Sequence, residues 1–333
     1  MNTDLRELEQ EVDVLTRKLQ ALREEIAKVI IGQEETVEQL LITFLAGGHA
    51  LLEGVPGLAK TLMIRTLSQA IDLDFRRIQF TPDLMPSDII GTEILEEDHT
   101  TGKKFFEFNK GPIFANIILA DEINRTPPKT QAALLEAMQE FEVTYSGKTY
   151  KLDRPFFILA TQNPIEQSGT FPLPEAQQDR FLLYIKIGYP TENEEIHILK
   201  NTTGNKKAKI NPVLSGREIV RLQELVREVP ISDELVGYVS RVVRATRPET
   251  SGNAYVKDWV SWGAGPRAGQ AMILTAKARA LAQGRLSVTL KDLEAMAFPV
   301  LRHRVIVNFR AEAEGITADD VTRELLKNTP ISI

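Results

Sequence analysis

The chain has 333 residues, 43% of them hydrophobic and 26% charged, with a net charge of −6 that argues against a large nucleic-acid footprint. It has no cysteine for a disulfide framework or thiolate site, and no apolar run near the ~20 residues that cross a bilayer. The acidic N-terminal stretch is unlike a secretory signal, so a cytoplasmic protein is expected. The chain is long enough for two domains.

An apolar heptad seam fills the first 28 residues. Its members alternate in steps of three and four: Leu5, Leu8, Val12, Leu15, Leu19, Leu22 and Ile26. This spacing predicts one amphipathic helix. Because three heptads barely suffice for an independent coiled coil, packing on its own domain is favoured, and docking on a neighbouring subunit stays open.

The octamer GVPGLAKT, residues 54–61, follows a short apolar run suited to a buried strand and precedes a segment with helical spacing. This order predicts a phosphate-binding loop, in which backbone N–H groups and the helix dipole hold an anion. The alternative is a Gly/Pro turn with Lys60 as a solvated charge.

Ala59 departs from the usual loop pattern G-x-x-x-x-G-K-[ST]. Gly54 and Gly57 occupy the places where a Cβ or a positive φ is costly. Position 59 opens the following helix, so we expect it to need a small residue with negative φ, which alanine supplies.

Apolar runs alternate with helical stretches over residues 29–188, which predicts a parallel sheet covered on both faces. The predicted strands are His49–Glu53, Phe75–Phe80, Ile117–Ala120, Phe156–Ala160 and Phe181–Ile187. Two β-rich stretches interrupt this order, at 92–109 with a turn at HTTGK and at 141–152, and both are predicted to be β-hairpins. Residues 189–333 contain only helical stretches separated by loops, which predicts a second domain.

Polar residues follow two of these predicted strands. The run NIILADEINR reaches Asp121, which can hold Mg²⁺ through water, and Glu122, which can polarise an attacking water. The run FFILATQNP reaches Asn163, whose amide can orient that water. The alternatives are solvated strand ends and an Asn-Pro turn.

Two arginines follow in PEAQQDRF and WGAGPRAG. A guanidinium suits a transition state whose charge is spread over phosphate oxygens, because it is planar and always charged. Arg180 precedes the last predicted strand, away from its own loop, so we expect it to act on a neighbour's nucleotide. Arg267 opens a helix and could reach back to the γ-phosphate. The alternatives are an ion pair of Arg180 with Asp179 or Glu175, and a capping or solvated role for Arg267.

The series GVPGLAKT, LADEINR, ATQNP, PEAQQDRF and GPRAG resembles the AAA+ ATPases, and with both inserted hairpins it looks most like the MoxR family. The resemblance extends from about Ile30 to the C-terminus. It implies an α/β P-loop AAA+ core with a parallel five-stranded sheet and inserted β-hairpins at 29–188. An N-terminal helix at 1–28 precedes this core, and a smaller all-helical lid at 189–333 follows it.

The resemblance also implies a role for each matching residue. Lys60 and Thr61 become the Walker A pair, Asp121 and Glu122 the Walker B pair, Asn163 sensor 1, Arg180 the arginine finger and Arg267 sensor 2. Mg²⁺ would be held by Thr61 and Asp121. ATP would lie along Gly54, Val55, Pro56, Gly57, Leu58, Ala59, Lys60, Thr61 and Leu62, with Ile31 and Gly32 bordering adenine.

The MoxR likeness implies an ATP-hydrolysing, chaperone-like remodeller that forms a homo-oligomeric ring, such as a hexamer, and assembles or activates protein complexes. A von Willebrand factor A domain protein is the implied partner. The rival is a DNA-acting AAA+ motor or transcriptional activator. Against it, the first insert has no GAFTGA-like loop and the second hairpin carries only Lys148 and Lys151. A nucleotide-gated scaffold without turnover is a third reading, although every hydrolytic position is filled.

Other polar or aromatic residues give weaker signals. The run Arg302–Arg304 is predicted to mark a solvated face. Trp259 and Trp262 are expected to pack the loop before Arg267. The histidines show no metal-ligand spacing: His49, His99, His197 and His303.

Overall fold

The structure is a computed structural model that describes residues 2–97, 104–165, 169–204 and 208–331, with side chains from residue 10 onward. The described strands are β1 (Ala50–Glu53), β2 (Phe75–Gln79), β3 (Gly91–Glu97), β4 (Lys104–Lys110), β5 (Ile117–Asp121), β6 (Glu142–Tyr145), β7 (Lys148–Lys151), β8 (Phe157–Gln162), β9 (Leu183–Lys186), β10 (Val260–Trp262) and β11 (Ile306–Val307).

The described helices of the first half are α1 (Asn2–Ala27), α2 (Glu34–Leu45), α3 (Lys60–Ile71), α4 (Pro86–Ile90), α5 (Pro128–Glu140) and α6 (Glu175–Gln178). Those of the second half are α7 (Glu192–Thr202), α8 (Gly216–Glu228), α9 (Asp233–Ala245), α10 (Ala254–Trp259), α11 (Pro266–Ala282), α12 (Leu290–Leu301), α13 (Phe309–Ala313) and α14 (Ala318–Asn328). Among the described residues, no helix is both long and apolar enough to cross a membrane.

Five parallel strands form the central sheet in the order β2, β5, β8, β1, β9, which confirms the predicted sheet. Because the strands are parallel, they all end at one edge, called here the carboxyl edge, and all begin at the other, the amino edge. Their four to six residues separate the two edges by about 13–20 Å.

Apolar residues alternate between the two faces of the sheet. In β5, Ile117 and Leu119 join a core formed with α1, α2, α3 and the second domain, whereas Ile118 and Ala120 join a second core around α5. Every one of these side chains is fully buried. The sheet is therefore covered on both faces, as the continuous apolar runs predict.

Both inserted segments are antiparallel hairpins, β3 with β4 and β6 with β7. The HTTGK turn lies outside the described residues. Phe108 of the first hairpin stacks on Tyr150 of the second, with ring centroids 4.3 Å apart, so the two hairpins pack together. Leu95 and Phe106 pair across the first hairpin and are 56% and 68% exposed.

The N-terminal helix α1 packs on its own chain, against α3 of the sheet domain and against α8 and α11 of the second domain. Its buried residues are Leu15, Leu19, Leu22 and Ile26. Packing in cis is therefore confirmed for these residues, while the side chains of Leu5 and Leu8 lie outside the description. Among its described residues, the second domain is helical apart from the short β10–β11 ribbon, so the predicted all-helical lid is correct except for these two strands.

Candidate nucleotide-binding site

The loop of residues 54–61 connects β1 to α3 at the carboxyl edge. A Cβ on Gly54 would lie 2.0 Å from Cγ2 of Ile187, so any side chain would displace the residue that follows β9. Gly57 has a φ of +89°, a conformation that L-residues rarely adopt. Both positions require glycine for the reasons anticipated from the sequence.

The prediction that position 59 has a negative φ is wrong, although the residue there is small as expected. Ala59 has a φ of +56° and a ψ of +23°, which is the left-handed region. The reason is that α3 begins only at Lys60, and the turn before it continues the inward-facing run of backbone N–H groups. Alanine therefore carries strain of about 1–2 kcal/mol where the usual loop has glycine.

Lys60 lies at the mouth of the loop, where its Nζ donates to the carbonyl of Gly54 at 2.8 Å. Burial lowers the pKa of this half-buried ammonium, and the charges of Asp121 and Glu122 oppose that shift. The structure thus brings the loop lysine and both predicted acids together.

Asp121 and Glu122 are fixed by one hydroxyl of the neighbouring strand. Thr161 of β8 donates to Asp121 Oδ1 at 2.6 Å and accepts from the Glu122 N–H at 2.9 Å. Thr161 is fully buried, so it cannot exchange these contacts for water. Arg77 donates from Nη2 to the other Asp121 oxygen at 2.6 Å.

The Glu122 carboxylate is held by two further side chains. Gln79 donates to its Oε2 at 2.9 Å, and Arg125 pairs with the same oxygen at 3.2 Å. Arg77 and Gln79 both belong to β2, and neither is predicted from the sequence as a site residue. Their signal is weak, because only the pairing of β2 beside β5 puts polar residues of the FRRIQ strand against the acids.

Asn163 follows β8 at the same edge and is buried. Its Oδ1 accepts the N–H of Ile165 at 3.2 Å, across Pro164. The residue therefore forms the Asn-Pro turn considered above, and at the same time occupies the strand end predicted for a water-orienting amide.

A cavity of about 660 Å³ lies along the first turns of α3 and is lined by Ile31, Leu62 and Arg65 among others. Its size falls within the range of about 300–1,000 Å³ typical of ligand pockets. Gly32 lies on an adjoining cavity, where its φ is +69° and a Cβ would come within 2.8 Å of the Glu194 carboxyl.

Thr61 and Asp121 supply a hydroxyl and a carboxylate beside the loop. Oxygen ligands of these kinds fit Mg²⁺, which is usually bound by one or two carboxylates, phosphate oxygens and water. Arg77 provides the positive charge that faces Asp121 in this structure.

Arg180 lies in the segment between α6 and β9, at the amino edge. Its Nη1 donates to the carbonyl of Leu135 in α5 at 3.2 Å. The alternative ion pair with Asp179 is wrong, because the Asp179 carboxylate pairs with Arg267 and Arg304 instead. The length of the sheet therefore separates Arg180 from the loop of its own chain.

Arg267 begins α11 and lies at the amino edge too. Its Nη1 donates to Asp179 Oδ2 at 3.3 Å. The expectation that it reaches back to the γ-phosphate of its own chain is not met in this structure, because α12 and the following turn dock the second domain on β9 and leave Arg267 beside Asp179.

The run Arg302–Arg304 is not a solvated face, contrary to the sequence reasoning. Arg302 donates to the Tyr184 carbonyl at 3.2 Å, and His303 donates from Nε2 to the Phe181 carbonyl at 3.1 Å. Arg304 and His303 are buried. Three consecutive basic residues thus dock the second domain on β9 and on the segment before it, which carries Arg180.

The two tryptophans differ. Trp259 is partly buried, with the guanidinium of Arg310 4.9 Å from its ring centroid. Trp262 is 66% exposed, so the expectation that it packs the loop before Arg267 is wrong.

A phosphate loop with an acid pair and a buried asparagine at the carboxyl edge of a five-stranded parallel sheet, followed by a helical domain, defines an AAA+ ATPase. Comparison with known proteins agrees. Residues 49–183 match the "ATPase family associated with various cellular activities (AAA)", and residues 253–325 match the "AAA lid domain".

Similar proteins narrow the class to one family. Chaperone MoxR1 of Mycobacterium tuberculosis is 45% identical over 92% of this chain and 80% of its own length. Protein YeaC of Bacillus subtilis is 42% identical over 93% of each chain. A crystal structure of a protein assigned as an ATPase, from Cytophaga hutchinsonii, has a TM-score of 0.92 at 41% identity and covers 99% of both chains. The chain therefore belongs to the MoxR family of AAA+ ATPases.

Proposed function

We propose that this protein hydrolyses ATP with Mg²⁺ as a homo-oligomeric ring, such as a hexamer, in which two subunits share each nucleotide. One observation carries this proposal. The loop and the acid pair lie at the carboxyl edge, whereas Arg180 and Arg267 lie at the amino edge of the same sheet. A complete hydrolytic site then needs the amino edge of a second copy.

The residues of the carboxyl edge bind the nucleotide and activate the attacking water. The N–H groups of the loop and the Lys60 ammonium would hold the phosphates, and Thr61 and Asp121 would hold the ion, which would supply positive charge to the phosphate oxygens. Glu122 accepts the proton of the attacking water, and Asn163 orients that water.

Arg180 and Arg267 of the adjoining copy complete the site. Their guanidinium groups stabilise the negative charge that develops on the transferred phosphoryl group. Hydrolysis therefore depends on assembly, and each subunit affects its neighbour's turnover.

The work performed by this cycle is proposed to be remodelling of protein complexes, together with a von Willebrand factor A domain partner. The name of the Mycobacterium relative, a chaperone, supports this role. The packed hairpins also support it, since Leu95 and Phe106 offer apolar contacts to a protein client. A DNA-acting motor is the alternative.

A mixing experiment tests the shared site. Arg180→Ala is expected to bind ATP normally yet to lose about 10³–10⁵-fold in turnover, as for arginine fingers supplied in trans. Lys60→Ala has a defective loop and an intact finger. Mixed under conditions in which subunits exchange, the two variants should recover activity, because some interfaces pair a sound loop with a sound finger. Arg323→Ala, which removes an exposed arginine of α14, is the control and should keep full turnover.

Turnover per subunit that is independent of concentration, together with no recovery in the mixture, would overturn the shared site. The partner class has a separate test. Glu122→Gln loaded with ATP is used to capture proteins from a cell lysate. Recovery of a von Willebrand factor A domain protein supports the remodelling role, whereas nuclease-sensitive association supports the DNA-acting alternative.

A further inference from the structure

Arg304 is a buried cation whose donors are all engaged. Its Nε donates to Asp179 Oδ1 at 2.6 Å, and its Nη1 to the carbonyls of Leu182 and Val300 at 3.2 and 2.7 Å. Its Nη2 donates to the carbonyls of Asp179 and Phe181 at 3.2 and 2.8 Å. All three nitrogens are thus used, and the segment that carries Arg180 is bound to the second domain along its backbone.

Asp179 is the carboxylate that compensates this buried charge. Burial lowers the pKa of Arg304 and the Asp179 charge opposes that shift. Separating a buried guanidinium from its carboxylate is strongly destabilising. The Asp179 carboxylate therefore stays beside Arg304.

The second oxygen of Asp179 faces Arg267. This contact is longer, at 3.3 Å, and the Arg267 side chain is 52% exposed. An exposed ion pair of this kind contributes little to stability, so Arg267 exchanges Asp179 readily for a more highly charged anion. Arg267 is therefore oriented by Asp179 without being locked there.

The Asp179 carboxylate, which pairs with both Arg304 and Arg267, connects the two domains. Arg180 is the next residue and belongs to the sheet domain, whereas Arg267 begins α11 in the second domain. The Asp179 carboxylate thus holds Arg267 of the second domain at the residue that directly precedes Arg180.

We propose that Asp179 is a positioning residue that holds Arg267 beside Arg180, so that both guanidinium groups meet the triphosphate of a neighbouring copy together. This inference rests on the shared site proposed above and adds to it how the second arginine is placed. Without a nucleotide opposite, Asp179 neutralises Arg267. When the more highly charged triphosphate is opposite, Arg267 moves to it over a short path, because Arg304 keeps Asp179 in place.

A double-mutant cycle on turnover tests the proposal. Asp179→Asn keeps the shape and a carbonyl for Arg304 but removes the charge that attracts Arg267. It is expected to lower kcat about 10²-fold, as a misplaced group does, with KM for ATP unchanged within about two-fold. Added to Arg267→Ala, it should cause no further loss, since Asp179 acts through Arg267. Asp320→Asn, which removes the partner of Arg323 in α14, is the matched control and should leave kcat unchanged.

A second variant guards against loss of folding, because Asp179→Asn leaves Arg304 without its countercharge. Asp179→Asn combined with Arg304→Gln removes the buried pair together and keeps an amide donor for the carbonyls. Thermal unfolding reports whether each variant is folded. The combined variant should show the same reduced kcat, and mixing it with Lys60→Ala should restore turnover.

Two outcomes overturn the proposal while leaving the shared site intact. The first is an undiminished kcat in Arg267→Ala or in the folded Asp179 variants. The second is a loss from Asp179→Asn that adds in full to that of Arg267→Ala, as expected of a purely structural residue. Failure of the shared site itself is seen separately, as no recovery when Arg180→Ala is mixed with Lys60→Ala.

Discussion

The two edges of the central sheet hold their charged groups in different ways. At the carboxyl edge the strands themselves do so: Thr161 of β8 fixes both acids, and Gln79 of β2 fixes the Glu122 carboxylate. At the amino edge the second domain does so, since Arg304 binds the backbone beside Arg180. The charged groups of the carboxyl edge are therefore held within one domain, whereas those of the amino edge depend on how the two domains dock.

This difference separates two kinds of sensitivity. Substitutions at the carboxyl edge should change binding or chemistry while the domains stay docked. Substitutions at the amino edge should change the turnover of the nucleotide that is bound by the neighbouring copy. Acid should act on the amino edge first, because burial lowers the pKa of both His49 and His303, and both lie there.

The largest expected effect tests the chemical role of the carboxyl edge. Glu122→Gln keeps the shape and a carbonyl oxygen for Gln79, but it cannot accept a proton from water. Turnover should fall by about 10²–10⁴-fold, the range for loss of a general base, while ATP stays bound. Steady-state hydrolysis and calorimetry measure the two quantities. Glu140→Gln, at the exposed end of α5, is the control, and equal turnover in both variants would remove Glu122 from the chemistry.

The second prediction concerns pH and the amino edge, where His49 precedes β1. The ring accepts the Ile158 N–H at its Nδ1 and donates from Nε2 to the Met138 carbonyl, each at 3.0 Å. Burial lowers the pKa of His49 from 6.5 to about 4. Between these values the unfolded chain binds a proton that the folded chain does not, so acid lowers the free energy of unfolding, by about 3 kcal/mol in total.

Urea unfolding at several pH values from 7 to 4.5 checks this slope. His49→Gln retains a donor and an acceptor but does not titrate, so its stability should fall less steeply below pH 6.5 than that of the parent. His197→Gln removes an exposed histidine and should follow the parent curve. Parallel curves for all three proteins would show that His49 titrates alike in the folded and unfolded chains.

The third prediction breaks binding at the carboxyl edge and spares the amino edge. Lys60→Ala removes the mobile positive charge of the loop. Loss of a charged hydrogen bond costs about 1.5–3 kcal/mol, which corresponds to roughly 10–150-fold in ATP affinity. Calorimetry should detect this loss, and Lys327→Ala, which removes an exposed lysine of α14, should bind as the parent does. Unchanged affinity in Lys60→Ala would overturn the loop assignment.

The sequence was sufficient to predict the sheet and the loop, acids and asparagine at its carboxyl edge. Buried parallel strands appear as short apolar runs, and the residue after each run must lie at the same edge as the others. Asp121 and Asn163 were found in this way. Gln79 was missed because its role depends on the order of strands, which periodicity does not give.

The docking of the second domain was beyond the sequence reasoning. A run of three basic residues is usually solvated, and nothing local indicates that carbonyls around Phe181 receive Arg304 and His303. The partner of Arg267 was missed for the same reason. Contacts between domains join residues far apart in the chain, so their patterns are invisible within either segment.

The smallest expected effect returns to the loop and to Ala59, whose backbone was misjudged. At a φ of +56° a glycine removes strain of about 1–2 kcal/mol, while the greater freedom of the unfolded chain costs about 0.4–1 kcal/mol. Ala59→Gly should therefore stabilise the protein by about 0.5–1 kcal/mol and raise the midpoint of thermal unfolding by about 1–3 °C. Ala132→Gly, at an exposed position inside α5, is the matched control and should destabilise by about 1 kcal/mol. The two substitutions are chemically identical and differ only in backbone conformation, so a shift of the same sign in both would mean that Ala59 is helical, as the sequence first suggested.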